Sequence, residues 1–359
     1  MPNQIYEKYW KITFAWTDYY GGNFLLALKE IINFIDAHKG EEYSADLYSQ
    51  LQQQLIRYLS ANESSITEPS IRKGINQFVK MGFVEYHLTD YHPLAKKYIE
   101  VDNNGYRKFL LSKILYSNSS FSRSVTKESH VQEINFFLKT LEHNEKLNEN
   151  LLPVLMRMNI AENEKGYATK EELEQGSQDP SLAGFISRKY NQISYFKNLL
   201  KELDGVFLAN GIYTLYETES ASEIKEIRSV GRDPYLQKIY KDQLKKEVAS
   251  QLGDAQCMVE RLSYPVLIAS HIKPYKDSSA EEAFDPDNGL LLSKNIDSLF
   301  DLRYLSFNDD GSILFYERIP EDVKEFLIRG NYSLNPLFLN DKRKQYLAYH
   351  RDLCQKENA

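Results

Sequence analysis

Tyr264-Pro265-Val266-Leu267-Ile268-Ala269-Ser270-His271-Ile272-Lys273-Pro274 and, after a polar acidic stretch, Asp285-Pro286-Asp287-Asn288-Gly289-Leu290-Leu291-Leu292-Ser293-Lys294-Asn295-Ile296-Asp297-Ser298-Leu299-Phe300-Asp301 form the stretch that decides most about this chain. The first run is short, apolar and rich in branched side chains. It predicts a strand that delivers His271 at its end, closed by Pro274. The second run turns tightly through Asn288-Gly289 into another apolar strand. Lys294 to Asp301 then starts a helix, and Asp297 and Asp301, four apart, share one of its faces. Two strands and a helix thus follow one another in quick succession, with His271 at the end of the first strand and Asn288 at the turn into the second.

These blocks, in this order, resemble the HNH (ββα-metal) nuclease family. The likeness is to the branch with an Ala/Ser-His-Ile-x-Pro first strand and an Asp-Pro-Asp-Asn-Gly-Leu-Leu-Leu-Ser second strand. It covers Cys257 to Phe307, with a fainter echo at Tyr346-Leu347-Ala348-Tyr349-His350-Arg351, which resembles the terminal helix that often follows the domain. The resemblance implies metal-dependent hydrolysis of DNA phosphodiesters. That chemistry needs a base for the attacking water and positive charge at the phosphate and leaving oxygen. By resemblance His271 is the base, and Asn288 is the central asparagine that stiffens the loop and helps orient it. Asp297 stands at the helix position of the metal ligand, supported by Asp301, and carboxylate oxygens suit Mg²⁺ or Mn²⁺ better than zinc. The chain departs from the pattern in two places. Ser270 stands where many relatives carry Asp or His as a ligand. The paired Cys-x-x-Cys motifs that hold zinc in many relatives are absent, so no structural zinc is expected. Each residue also has a plainer reading: a buried hydrogen-bonded histidine, a turn asparagine, a helix-start carboxylate favoured by the dipole. Lys273, Lys276 and Lys294 either meet phosphates or are solvated.

Working outward, the N-terminal third reads as helical. Phe24 to Phe34 and Ala45 to Leu59 carry apolar residues at helical spacing. Ser65 and Glu68 have capping-box spacing ahead of a helix with Ile71, Ile75, Phe78 and Val79 on one face. Gly82 ends it, and Phe83–Tyr86 reads as a strand. Helix, turn, helix, glycine and strand is a winged-helix layout. Its second helix would expose Arg72, Lys73, Asn76, Gln77 and Lys80 toward bases and phosphates in a major groove; a solvated face on a helical hairpin is the alternative. Arg107, Lys108, Lys113, Arg123 and Lys127 form a basic stretch that either contacts a DNA backbone or is solvated. Val131–Ile160 reads as helical, Glu162–Asp179 as a linker, and Ile193–Leu203 as a helix. The latter, followed by strands at 205–208 and 212–216, suggests a second winged unit. Glu217–Gly231 is the expected boundary.

The 359 residues allow two or three domains, and 42% hydrophobic with 26% charged residues is an ordinary globular balance. A net charge of −7 argues against indiscriminate nucleic-acid coating but allows a local basic groove. Two cysteines, Cys257 and Cys354, cannot build a disulfide framework or a four-cysteine zinc site, which fits a reducing cytoplasm. Met1-Pro2-Asn3-Gln4 opens no signal-peptide core, and no stretch is apolar enough to span a bilayer. The expected architecture is α+β. A mostly helical, winged-helix-like DNA-binding domain (1–130) and a second helical, winged-helix-like region (131–230) precede an HNH nuclease domain with a C-terminal helix (231–359). The expected activity is a type II-like restriction endonuclease acting on double-stranded DNA as a homodimer, with a separately encoded methyltransferase. The alternatives are a modification-dependent or mobile-element nuclease, or a DNA-binding regulator with an inactive HNH domain.

Overall fold

The computed structural model describes residues 9–60, 66–215 and 233–358. Outside them lie the leader reading at Met1–Gln4, Ser65 as a helix cap, Tyr216 as a strand end and Glu217–Gly231 as a boundary. The fold is of the α+β class. The chain gathers into two compact units, Met1–Ser220 and Ala221–Ala359.

The first unit opens with α1 (Gly22–Ala37), α2 (Ala45–Ser60) and α3 (Glu68–Met81). Each buries the face its spacing predicts: Phe24, Leu28, Ile31 and Ile35; Leu51, Leu55 and Leu59; Ile71, Ile75, Phe78 and Val79. The cap of α3 is Thr67, whose backbone N–H donates to Ser70 Oγ (3.1 Å), and Glu68 is the first helical residue. Pro69 falls in the first turn, where its missing N–H would have had no helical partner. Gly82 ends the helix at φ 81°, and a Cβ there would lie 2.6 Å from the backbone carbon of Asn118, so conformation and space both require glycine.

Phe83–Tyr86 does not form the expected strand. A single bridge pairs Val84 with Tyr91, and Tyr86–Leu88 is a 3₁₀ turn with His87 and Leu88 at φ 59° and 57°. The chain reverses too soon for a ladder to grow. Next come α4 (Leu94–Glu100), α5 (Asn104–Asn118) and α6 (Glu133–Asn144). The helical reading of 131–160 is interrupted because Glu145 takes φ 63° and β1 (Lys146–Asn148) follows, before the short α7 (Leu152–Leu155). The expected linker contains α8 (Lys170–Ser177), started by reciprocal bonds between Thr169 and Glu172. Then α9 (Leu182–Lys201) leads into β2 (Val206–Ala209) and β3 (Ile212–Leu215). The antiparallel sheet runs β1-β3-β2, with Leu147 and Leu208 both opposite Tyr213. The core is aromatic: Trp10 meets Phe136 and Phe196 edge-on, and Phe121 meets Phe196.

The second unit contains α10 (Pro234–Leu252), β4 (Leu267–His271), β5 (Gly289–Ser293) and α11 (Lys294–Asp301). It continues with β6 (Leu305–Phe307), β7 (Ile313–Phe315), α12 (Glu321–Arg329) and α13 (Asp341–Asn358). Tyr240, Leu244 and Val248 from α10 share a core with Leu290, Leu291, Leu292, Ile296, Phe300 and Leu347. His350 of α13 belongs to that core. It stacks on Phe300 at 3.8 Å and 11°, and burial pushes its imidazole down to about 4, so it stays neutral. Among the described residues no helix is long and apolar enough to cross a membrane.

Candidate active site

β4 and β5 pair antiparallel, with His271 opposite Gly289 and Ser270 opposite Leu290. Alternate strand residues point to opposite faces, so Ser270 and His271 leave β4 on different sides. His271 is 9% exposed, and its Nε2 lies 2.7 Å from the Ala283 carbonyl oxygen. A carbonyl only accepts, so Nε2 carries the hydrogen and the lone pair of the neutral ring is on Nδ1. Tyr240 stacks on the imidazole at 5.0 Å and 19°, and Tyr275 meets it edge-on at 5.8 Å.

The loop between the strands is closed by Asn288, which is fully buried. Its Oδ1 accepts from Lys273 N (2.7 Å). Its Nδ2 donates to the carbonyls of Glu282 (3.0 Å) and Lys273 (3.2 Å) and to Ser278 Oγ (3.3 Å). Its own carbonyl accepts from Ile272 N and from Tyr240 Oη, both at 3.1 Å. One side chain thereby ties both ends of the loop to its middle, next to the Ala283 carbonyl that holds His271.

A second brace comes from α13. Arg343, fully buried, makes a bidentate pair with Glu247 of α10 (2.9 and 3.0 Å) and donates to the carbonyls of Pro286 (2.9 Å) and Phe338 (2.6 Å). Asn340 donates to Asp287 (2.8 Å), and Lys342 pairs with Asp285. The Asp-Pro-Asp-Asn turn is therefore held from the C-terminal helix.

The expected metal residues are placed as follows. Ser270 is 4% exposed on β4, Asp297 is half-buried in the first turn of α11, and Asp301 is exposed at the end of that helix. Ser293 starts the helix, its Oγ accepting from Ile296 N (3.3 Å). Among the described residues no group of three or more His, Cys, Asp or Glu side chains could hold a metal ion. An ion caged by three such ligands does not fit them. A hydrated Mg²⁺ needs only one or two carboxylates when substrate phosphate completes its shell, and that lesser demand fits Asp297. Lys273 is committed within the loop: its Nζ pairs with Glu282 (2.7 Å) and lies over the Tyr349 ring at 5.3 Å. The lysine beside it holds the Glu282 carboxyl below the usual carboxylate range.

In the first unit, Arg72, Lys73 and Asn76 of α3 line a cleft of about 440 Å³ with Thr13, Pro69, Lys80, Ser124 and Thr126. Lys73 also lies over the Tyr195 ring at 5.2 Å. Asn76 is engaged locally, accepting from Val125 N (3.0 Å) and donating to the Arg72 carbonyl (2.8 Å). The exposure expected of Gln77 and Lys80 is corrected, because the segment before α1 covers that side of α3. Gln77 is fully buried, accepting from Ala15 N (2.7 Å) and Trp16 N (3.0 Å) and donating to the Trp16 carbonyl (2.6 Å). Lys80 is 8% exposed and donates to the Lys11 carbonyl and Thr13 Oγ1, both at 2.8 Å. Burial pushes its ammonium down to about 8. The basic stretch is corrected in part: Arg107, Lys113 and Arg123 are buried, Arg107 and Arg123 donating to backbone carbonyls, while Lys127 is exposed.

Sequence reading did not find Tyr240, Glu247 or Arg343. They lie on the buried faces of helices remote in sequence from the strands they brace, where helical spacing marks a face but names no partner.

Residues 257–308 match the family model for the HNH endonuclease domain. No curated protein matches the chain.

Proposed function

We propose, starting from the HNH endonuclease domain in its second unit, that this chain is a metal-dependent DNA endonuclease of restriction type with His271 as general base. The observation that carries the reading is the fixed tautomer of His271. With Nε2–H bonded to the Ala283 carbonyl, Nδ1 takes the proton of the attacking water, and the carbonyl steadies the imidazolium that forms. Asn288 holds the loop that carries this carbonyl, so its part is to keep the base in place. A divalent ion, Mg²⁺ or Mn²⁺, would supply positive charge at the phosphate and leaving oxygen. Asp297 would hold it, with Asp301 and Ser270 as further candidates.

The substrate of this reading is double-stranded DNA, gripped in the first unit by the cleft that Arg72 and Lys73 line. The hairpin of β2 and β3 after α9, to which the earlier β1 adds, supports winged-helix character, while the strand expected after α3 shrinks to the bridge at Val84. A homodimer would supply the two active sites that cutting both strands requires, and a cognate methyltransferase would protect the host DNA in the same cytoplasm.

Plasmid cleavage with Mg²⁺, Mn²⁺ and EDTA, for the wild type and His271→Ala, tests the chemistry. The wild type should cut only with metal. The variant should lose about 10²–10⁴-fold while still binding DNA, the usual cost of a lost base. Near-normal turnover of His271→Ala would end the assignment. The second reading, a DNA-binding regulator, is favoured by the lack of a three-ligand group among the described residues; binding without cleavage under every metal condition would select it. Parallel digestion of methylated and unmethylated genomic DNA separates a restriction enzyme from a modification-dependent one.

A further inference from the structure

Tyr240 of α10 is fully buried, and three observations converge on it. Its ring stacks on that of His271 at 5.0 Å and 19°. Its hydroxyl donates to the Asn288 carbonyl at 3.1 Å. Its place exists because residue 289 has no side chain: a Cβ there would fall 2.2 Å from the Tyr240 oxygen and 2.9 Å from Cζ. Gly289 is the strand partner of His271, and its φ of −138° is open to any residue, so space and not conformation calls for glycine. The notch in β5 thus admits an aromatic ring beside the imidazole.

The Nε2 bond to Ala283 fixes the ring at one atom, and Tyr275 meets it edge-on. A flat ring packed against the imidazole face opposes tilting of its plane, and the hydroxyl anchors that flat ring in turn. We propose that Tyr240 is a positioning residue for the general base, holding the imidazole plane so that Nδ1 is presented in one orientation to the reacting water. This rests on the reading of His271 as the base.

The test uses the full-length protein with Tyr240→Met, Tyr240→Phe and His271→Ala. Methionine fills most of the space with an adaptable chain but offers no flat face; phenylalanine keeps the face and loses the hydroxyl. Cleavage kinetics are read as kcat and KM, and the His271 ring signals are read by NMR, where a stacked neighbour shifts them upfield. Tyr240→Met should lose about 10²-fold in kcat, the scale of a misplaced reacting group, with KM for DNA unchanged and the upfield shift gone. Tyr240→Phe should keep the shift and lose less than about tenfold, the scale of one ordinary hydrogen bond. Should Tyr240→Met not fold, the phenylalanine variant decides alone. If it keeps the ring shift and near-normal kcat, the proposal stands; if it drops as far as His271→Ala, the flat face is not what positions the base. An inactive His271→Ala beside a Tyr240→Met with wild-type kcat overturns the role of Tyr240 alone. An active His271→Ala overturns the reading of the base as well.

Discussion

At the scale of single residues, Asp297 and Asp301 make the sharpest contrast. They are four apart on α11, yet the first is half-buried beside the helix start and the second is exposed at its end. A carboxylate that shares an ion with substrate phosphate must sit near the strands, so Asp297→Ala should lose metal-dependent cleavage and Asp301→Ala should retain most of it. Cleavage titrated against Mg²⁺ decides; an inactive Asp301→Ala beside an active Asp297→Ala would move the ligand one turn along the helix. His271 and Asn288 were legible because local sequence places them: one ends a strand, the other makes the turn into the next. Gln77 and Lys80 were not. Spacing put them on the polar side of α3, and only the fold reveals that residues 11–16 cover that side and accept their hydrogens. A polar face at helical period is exposed only if nothing else in the chain has need of it.

Among elements, the long-range braces matter most. Arg343 of α13 and Glu247 of α10 hold the turn before β5 through a bidentate pair that is dry on the arginine side. Removing Glu247 leaves the fully buried Arg343 charge without its counterpart, which costs about 3–5 kcal/mol. Glu247→Leu should therefore destabilise the second unit by that amount in urea unfolding. Replacing Arg343 with methionine as well should recover part of it, since no charge is then stranded. A loss under about 1 kcal/mol would show that the pair contributes little. The strand–strand–helix core was readable because its elements adjoin in sequence as two short apolar runs bounded by turn residues and a helix start. Elements whose limits depend on a distant partner were not: β1 exists because β3 pairs with it, and the strand expected at Phe83 shrinks to one bridge because its turn closes early.

Over the whole molecule, a chain with net charge −7 that grips DNA must concentrate its cations. The cleft lined by Arg72 and Lys73 is such a place. Each phosphate contact releases counterions, so binding of full-length protein to a duplex should weaken steeply with salt. Replacing Arg72 and Lys73 together should lower the log–log slope by about 2. An unchanged slope in fluorescence anisotropy would place the DNA elsewhere. The two thiols carry a separate consequence. Cys257 and Cys354 are the chain's two cysteines, both lie in the second unit, and both are buried. Burial pushes both thiols up, that of Cys354 to about 11, so neither presents a thiolate near neutral pH. The native protein should therefore be silent to maleimide, and slow labelling should clock transient opening of the second unit alone. For the same reason one cysteine introduced on the surface of the thiol-free first unit should take a fluorophore selectively, with no native cysteine removed beforehand.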